Sequence, residues 1–339
     1  MEKLITFLFC ASFVFGSTPY YFTFGLENGY DSNVLRFSSI EKDEAGMSPE
    51  IMGQNTTFDS NIIKGKISGK KALYLYKNVL TLSGDFGLSH YVQYQDKQYS
   101  SYQINASYKW KAYTKLSYSL RHLDSYYLRH YIDRDVSGDI SAACLFSDRE
   151  QKIGISLPVR GKMWVNVWAG YLQRYFDNPF TEFDLDIYYL RLKLNKQIRK
   201  FGNIRFQLEQ GIAENITYEQ TARASDFDRS YQYIQFYLPI SKTKKNRWTD
   251  GYGFAIRSDF RFYEAENFGD PLHAGRNHVD IKLDYWVKKN LSESLSIKST
   301  IRYRQRKTES QFEWVETLKS FEQWQVWCKL EWRMIYDRY

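Results

Sequence analysis

Beyond its first sixteen residues, the 339-residue chain has no apolar run approaching the roughly 18 residues that a helix needs to cross a bilayer. A helical membrane protein is excluded. Cysteine is scarce as well. Past residue 16 only Cys144 and Cys328 remain, too few for a disulfide framework. No metal-ligand spacing and no glycine-rich phosphate loop occurs, so no cofactor is expected. Aromatic residues, by contrast, are abundant. The chain carries 29 Tyr, 23 Phe and 9 Trp, a composition that excludes disorder. Its mean hydropathy is polar, at -0.56. That value is compatible with a membrane β-barrel, whose strands alternate apolar and polar residues.

The first sixteen residues read as a signal peptide. Lys3 supplies the positive n-region, and residues 4–15 form an apolar stretch of the usual length. Val14 and Gly16 are small enough for positions −3 and −1, so cleavage is expected before Ser17. Residues 17–339 are then expected to form one barrel domain.

From Tyr20 to Tyr336 the pattern has period two. Val279, Ile281, Leu283, Tyr285 and Val287 interleave with His278, Asp280, Lys282, Asp284 and Trp286. A strand separates these sets onto two faces, whereas a helix scatters both around its circumference. About 14 such stretches follow, over 19–30, 56–76, 79–93, 100–111, 115–128, 150–158, 163–175, 183–196, 203–215, 230–240, 250–264, 277–287, 294–306 and 320–336. Leu185 and Ile187 are out of phase with Leu190, Leu192 and Leu194, which predicts a β-bulge near Tyr188. Connections alternate short and long, as turns and loops do on opposite sides of a membrane. The long ones include 31–55, 129–149 and 216–229. Aromatic residues near strand ends fit two interfacial girdles. The fold class expected is all-β, a transmembrane antiparallel up-and-down β-barrel of about 14 strands. The alternative is a soluble β-solenoid or lectin-like sandwich.

The segment Gly29-Tyr30-Asp31-Ser32-Asn33-Val34 is similar to one found in the first strand of Gram-negative outer-membrane β-barrel proteins. As a pattern, the chain from residue 17 onward resembles the porin-like members of that group, and it ends, as they commonly do, on an aromatic residue, Tyr339. The resemblance implies an outer-membrane location, lipid and lipopolysaccharide as surroundings, and passage of small polar solutes. Nucleic acid is not an expected partner despite the net charge of +8.

Signs of an enzymatic barrel are weak. None of His90, His122, His130, His273 and His278 is followed two positions later by Ser, as a barrel phospholipase requires. His130 with Asp133 and Asp135 is a candidate protease-like set, and Asp280 with Asp284 a candidate carboxylate pair. Polar loop residues and salt-bridged lumen residues are the simpler alternatives, and no enzyme is expected.

Placing each polar face inward gives a basic lumen. The pore-lining candidates are Arg257, Arg261, Lys282, Lys298, Arg302, Arg304, Lys329 and Arg333, with the strongest effect expected around Arg302 and Arg304. Fixed positive charge favours anions. Tyr231, Tyr233 and Tyr237 share an inward face, either to stack on sugar rings or to fill space. The function expected is a channel for small polar, preferentially anionic solutes. The alternative is a structural or secretion-assisting barrel whose loops bind a protein.

Overall fold

Each alternating stretch forms a strand. The computed structural model describes residues 18–47, 49–53, 55–133, 140–198, 202–219 and 223–337. The expected signal peptide, Asp135 and Tyr339 lie outside the described residues. In chain order the strands are β1 (Tyr20–Asp31), β2 (Ser60–Leu75), β3 (Asn78–Tyr91), β4 (Tyr99–Lys111), β5 (Thr114–Ile132), β6 (Ser141–Pro158) and β7 (Met163–Phe176), then β8 (Leu185–Ile198), β9 (Gly202–Asn215), β10 (Tyr231–Thr243), β11 (Gly251–Tyr263), β12 (Asn277–Asn290), β13 (Leu295–Glu309) and β14 (Phe321–Tyr336). Two short helices interrupt the loops, α1 (Ser39–Met47) and α2 (Glu313–Lys319).

Each strand pairs with its sequence neighbours, and β1 also pairs with β14, closing the barrel. The seam runs unbroken from Tyr20↔Tyr336 to Asp31↔Gln325. Closure leaves no row of unpaired backbone groups, the condition a sheet must meet in hydrocarbon. The short connections, such as those at 76–77 and 112–113, lie at one end of the barrel. The long ones, 32–59, 216–230, 264–276 and 310–320 among them, lie at the other.

The distribution of polarity is inverted relative to a water-soluble protein. Leu26, Leu88, Leu190, Ile301 and Val326 are exposed, while Asp31, Ser119, Asp148, Asp280 and Gln323 are buried. An apolar exterior of this extent is a surface for lipid. Aromatic side chains mark both margins. Tyr30, Tyr102, Tyr188, Phe262 and Trp324 are exposed toward the long-loop end, and Tyr113, Trp332 and Tyr336 toward the other.

The structure corrects the sequence reading in two places. No bulge interrupts β8 near Tyr188, because its registers with β7 and β9 are continuous. Leu185 and Ile187 share the inward face of Tyr189 and Arg191, where they pack with Ala213, Tyr231 and Tyr233. The apparent change of phase is a change in what the inward face carries. The second correction concerns 129–149, expected as a loop. Here β5 continues to Ile132 and β6 begins at Ser141. Register shifts between Leu123 and Tyr126, and between Tyr127 and Arg129, hide the strand by breaking its alternation.

Leu283 and Lys282 sit on opposite faces of β12, mid-strand, and their replacement tests the orientation. Leu283→Arg places a charge in hydrocarbon and costs about 2–4 kcal/mol. Lys282→Ala removes a cation flanked across the strands by Arg257 and Arg304 and leaves folding unimpaired. The check is the yield of heat-modifiable folded barrel in lipid vesicles. Equal yields would reverse the assignment of the two faces.

Candidate functional site

The interior is shaped first by the chain leaving β1. Asp31, at the end of that strand, accepts hydrogen bonds from Gln323 Nε2 at 2.8 and 2.9 Å and from Gln325 Nε2 at 2.7 Å. It also accepts from the Asn33 backbone N–H at 3.0 Å. Ser32 adds a further tie, its Oγ accepting from the Trp324 N–H at 2.9 Å. Asn33 completes the turn. Its Nδ2 donates to the carbonyls of Phe37 and Glu322, and its Oδ1 accepts from the Phe37 N–H at 2.9 Å. Gly29 is required just before this turn, since a Cβ there would lie 2.2 Å from the Trp327 ring.

These bonds turn residues 32–59 back over the barrel instead of outward. Val34, Leu35, Phe37, Ala45 and Met52 bury themselves against Ile62, Tyr91, Tyr94, Tyr127 and Trp327, which line the wall. Arg129 clamps the loop from β5, pairing with Glu41 of α1 and donating to the Leu35 carbonyl at 3.1 Å. Within this fold Arg36 takes a left-handed backbone, φ 58°. It lies close enough to act electrostatically on Tyr126 and Lys97 at one side, and on Lys282, Arg304 and Arg306 at the other. The first loop therefore packs against the inner wall and brings a guanidinium within electrostatic reach of both β5 and β12.

All eight candidate residues lie on the inward faces of β11 to β14, and they divide into two groups. Arg302 grips Asp284 with two nitrogens, at 2.6 and 3.1 Å. Arg304 holds Asp280 through Nε at 2.8 Å. Arg261 approaches Asp259 at 3.4 Å, and Lys329 and Arg333 share Glu331 at 3.1 Å each. The other three have no ion pair among the described residues. Arg257 lies 4.7 Å from the centre of the Tyr237 ring, and Lys298 lies 4.8 Å from that of Trp286. Lys282 stands between Arg257 and Arg304 across the strands. Arg302 and Arg304, expected to dominate, are thus locally neutralised.

Elsewhere the wall differs. On β6 to β9 several charges are matched: Arg174 holds Asp148 at 2.8 and 2.9 Å, Lys152 reaches Glu150 at 3.2 Å, and Arg191 pairs with Glu209. Lys193 and Arg205, on the same inward faces, have no ion pair among the described residues. Along β3 to β5 many inward residues are small and polar, among them Ser83, Gly87, Ser101, Ser107, Ser117 and Ser119, with Asp85, Lys109, Lys115 and Arg121 between them. A cavity of about 350 Å³ opens there, lined by Lys66, Asp85, Gln103, Arg121 and Tyr126.

Sequence reasoning missed Arg36, Asp148, Glu150 and Arg306. Arg306 continues the period-two set of Arg302 and Arg304, which was the available signal. Asp148 was hidden by the misplaced start of β6. Nothing local announces that Arg36 points inward. The residues considered for catalysis have other partners. His130 hydrogen-bonds the Tyr127 hydroxyl at 2.8 Å, and both Asp280 and Asp284 are held by guanidinium groups. Tyr231 and Tyr233 pack within an apolar cluster, and Tyr233 donates to Glu209 at 3.0 Å.

No family model matches the chain, and neither does any curated protein. Solved structures do resemble it in outline. Pseudomonas aeruginosa OprD is 6% identical, with 95% of this chain and 97% of that one covered at a TM-score of 0.43. OccK1 (OpdK) from the same organism is 7% identical over 94% and 99%, at 0.44. A bacterial polysaccharide outer membrane secretin is 9% identical over 92% and 98%, at 0.43.

Removing the Asn33 side chain isolates the role of the turn. Asn33→Ala deletes three hydrogen bonds of the turn and leaves the strand ladder intact. Local opening of the loop becomes easier by about 1–3 kcal/mol. Amide hydrogen exchange over 34–45 should rise about tenfold or more, with β7 to β10 unchanged. Unaltered exchange in the loop would show that Asn33 does not hold it.

Proposed function

We propose that this chain is an outer-membrane channel for passive diffusion of small polar solutes, with a preference for anions, and that it is not an enzyme. The carrying observation is a group of lumen-side cations that have no ion pair among the described residues, Arg36, Lys64, Arg257, Lys282 and Lys298 among them. A barrel of this strand number encloses water unless its loops fill it. Fixed charge in a narrowed, low-dielectric passage raises the local concentration of anions and repels cations. On this reading residues 1–16 direct export and are removed, the long loops face the cell exterior, and lipid with lipopolysaccharide surrounds the apolar band.

The two obvious arginines are poor choices for a test, because changing Arg302 or Arg304 orphans Asp284 or Asp280. The better variant is Arg36→Glu with Lys282→Glu, which reverses charge where no carboxylate depends on it. In a planar bilayer under a KCl gradient, the native chain should show an anion-selective reversal potential that weakens as salt rises. The double variant should move that potential toward cation selectivity. A cation-selective native pore would refute the preference. Absence of any conductance would favour the other class, a barrel whose loops bind a protein partner.

A further inference from the structure

Near α2, at the long-loop end, several buried polar atoms on neighbouring residues lie without a hydrogen-bond partner among the described residues. Arg276 precedes β12, and its guanidinium lies 3.9 Å from the centre of the Tyr263 ring. His278 on β12 is the cross-strand neighbour of Arg261 and of Thr308. The Thr308 backbone N–H donates at 3.0 Å to Ser320, which follows Lys319 at the end of α2. Arg276, His278 and Thr308 are 7%, 4% and 5% exposed. Nevertheless Arg276 Nε, His278 Nε2, Thr308 Oγ1 and the nearby Arg306 Nε have no hydrogen-bond partner among the described residues.

The charge in this cluster is unbalanced. Arg261, Arg276 and Arg306 all act electrostatically on His278, and Arg276 and Arg306 act on Lys319. The surrounding carboxylates are already engaged: Asp280 by Arg304 and Arg306, Asp259 by Arg261, Glu41 by Arg129, and Asp270 by His273. Arg276 and Lys319 form no ion pair among the described residues. Burial, together with Arg129, Arg276 and Arg306, pushes the Lys319 ammonium down to about 7. Buried donors left unpaired are costly, and clustered cations more so. An anion seated among them satisfies both.

We propose that this cluster binds a small inorganic oxyanion of the phosphate type, with Arg276, Arg306, Lys319, His278 and Thr308 as its ligands. A tetrahedral oxyanion offers several acceptor oxygens for donors converging from α2, β12 and β13, and charge-assisted bonds of this kind are the strong ones. Because His278, Arg306 and Thr308 face inward, the anion reaches them from the aqueous interior and not from lipid. The site goes beyond the channel reading, since binding there requires no flux.

The test is isothermal titration calorimetry of the full chain in detergent micelles with inorganic phosphate, at an ionic strength fixed with NaCl. The native barrel should bind phosphate saturably, one per chain. Arg276→Gln and Lys319→Gln should each weaken binding by about tenfold or more, the size of one lost hydrogen bond to a charged group. Lys70→Gln, a cation on β2 outside the cluster, should leave the affinity as it is. Thr308→Val keeps the side-chain volume, so it should fold and still lose affinity. No saturable binding to the native chain would overturn the site, as would equal losses in Lys70→Gln and Arg276→Gln. Unchanged affinity in Thr308→Val would also overturn it, and this variant decides if the other two fail to assemble. Conductance is read separately in a planar bilayer. A barrel that conducts but does not bind phosphate loses only the site, and one that binds without conducting loses only the channel.

Discussion

One buried carboxylate governs both the closure of the barrel and the shape of its interior. Asp31 is 2% exposed, and its oxygens accept from two glutamine side chains of β14 and from the backbone of Asn33. A carboxylate in this position tolerates no partial satisfaction, because an ionised group removed from water costs several kcal/mol unless its bonds are made. Those bonds fix the outer end of the β1–β14 seam. They also fix the direction in which the chain leaves the sheet. The strained backbone at Arg36 costs about 1 kcal/mol. It is held because Asn33 and the apolar cluster behind Phe37 over-determine the turn.

The electrostatics of the wall follow from the same cost of burying charge. Arginines meet carboxylates with two nitrogens, as Arg174 meets Asp148 and Arg302 meets Asp284. The planar fork matches a carboxylate and recovers more of the lost hydration than a point charge does. The cations without a carboxylate are placed differently. Lys64 lies 4.0 Å from the centre of the Trp327 ring, and Arg257 and Lys298 also lie over aromatic faces. A ring quadrupole offsets part of the cost of a cation without cancelling its charge. Charge so held is not cancelled by a neighbour, whereas the Arg304–Asp280 pair is closed upon itself.

The barrel was legible because period-two alternation is imposed by geometry along its whole length: water lies on one side of every strand and lipid on the other. Legibility failed where that rule lapses. Leu185 and Ile187 face inward yet are apolar, because they pack against Tyr231 and Tyr233 rather than water. At 129–149 the bulges in β5 shift the phase. The inward set of basic residues on β11 to β14 could be read from the strands, but not their partners. Pairing Arg304 with Asp280 depends on register between β12 and β13, which alternation within one strand does not specify. Arg36 was beyond reach for a further reason: a loop's direction is set by tertiary bonds, here from β14, some 290 residues away in the chain.

The inward loop and the unpaired cations make sense only together. In water at physiological ionic strength a fixed charge is felt over about 8 Å. In a wide, water-filled barrel, cations on one wall would therefore leave a screened path along the other. The first loop brings α1 and its apolar cluster over the opening. It replaces water with low-dielectric protein, and it carries a further cation, Arg36, within electrostatic reach of Tyr126 on one side and of Lys282 on the other. On the channel reading proposed above, an ion crossing at that level would meet the field of Arg36 together with that of Lys282 and Arg257. On that reading, selectivity would depend less on the number of basic residues than on the loop that narrows the water around them.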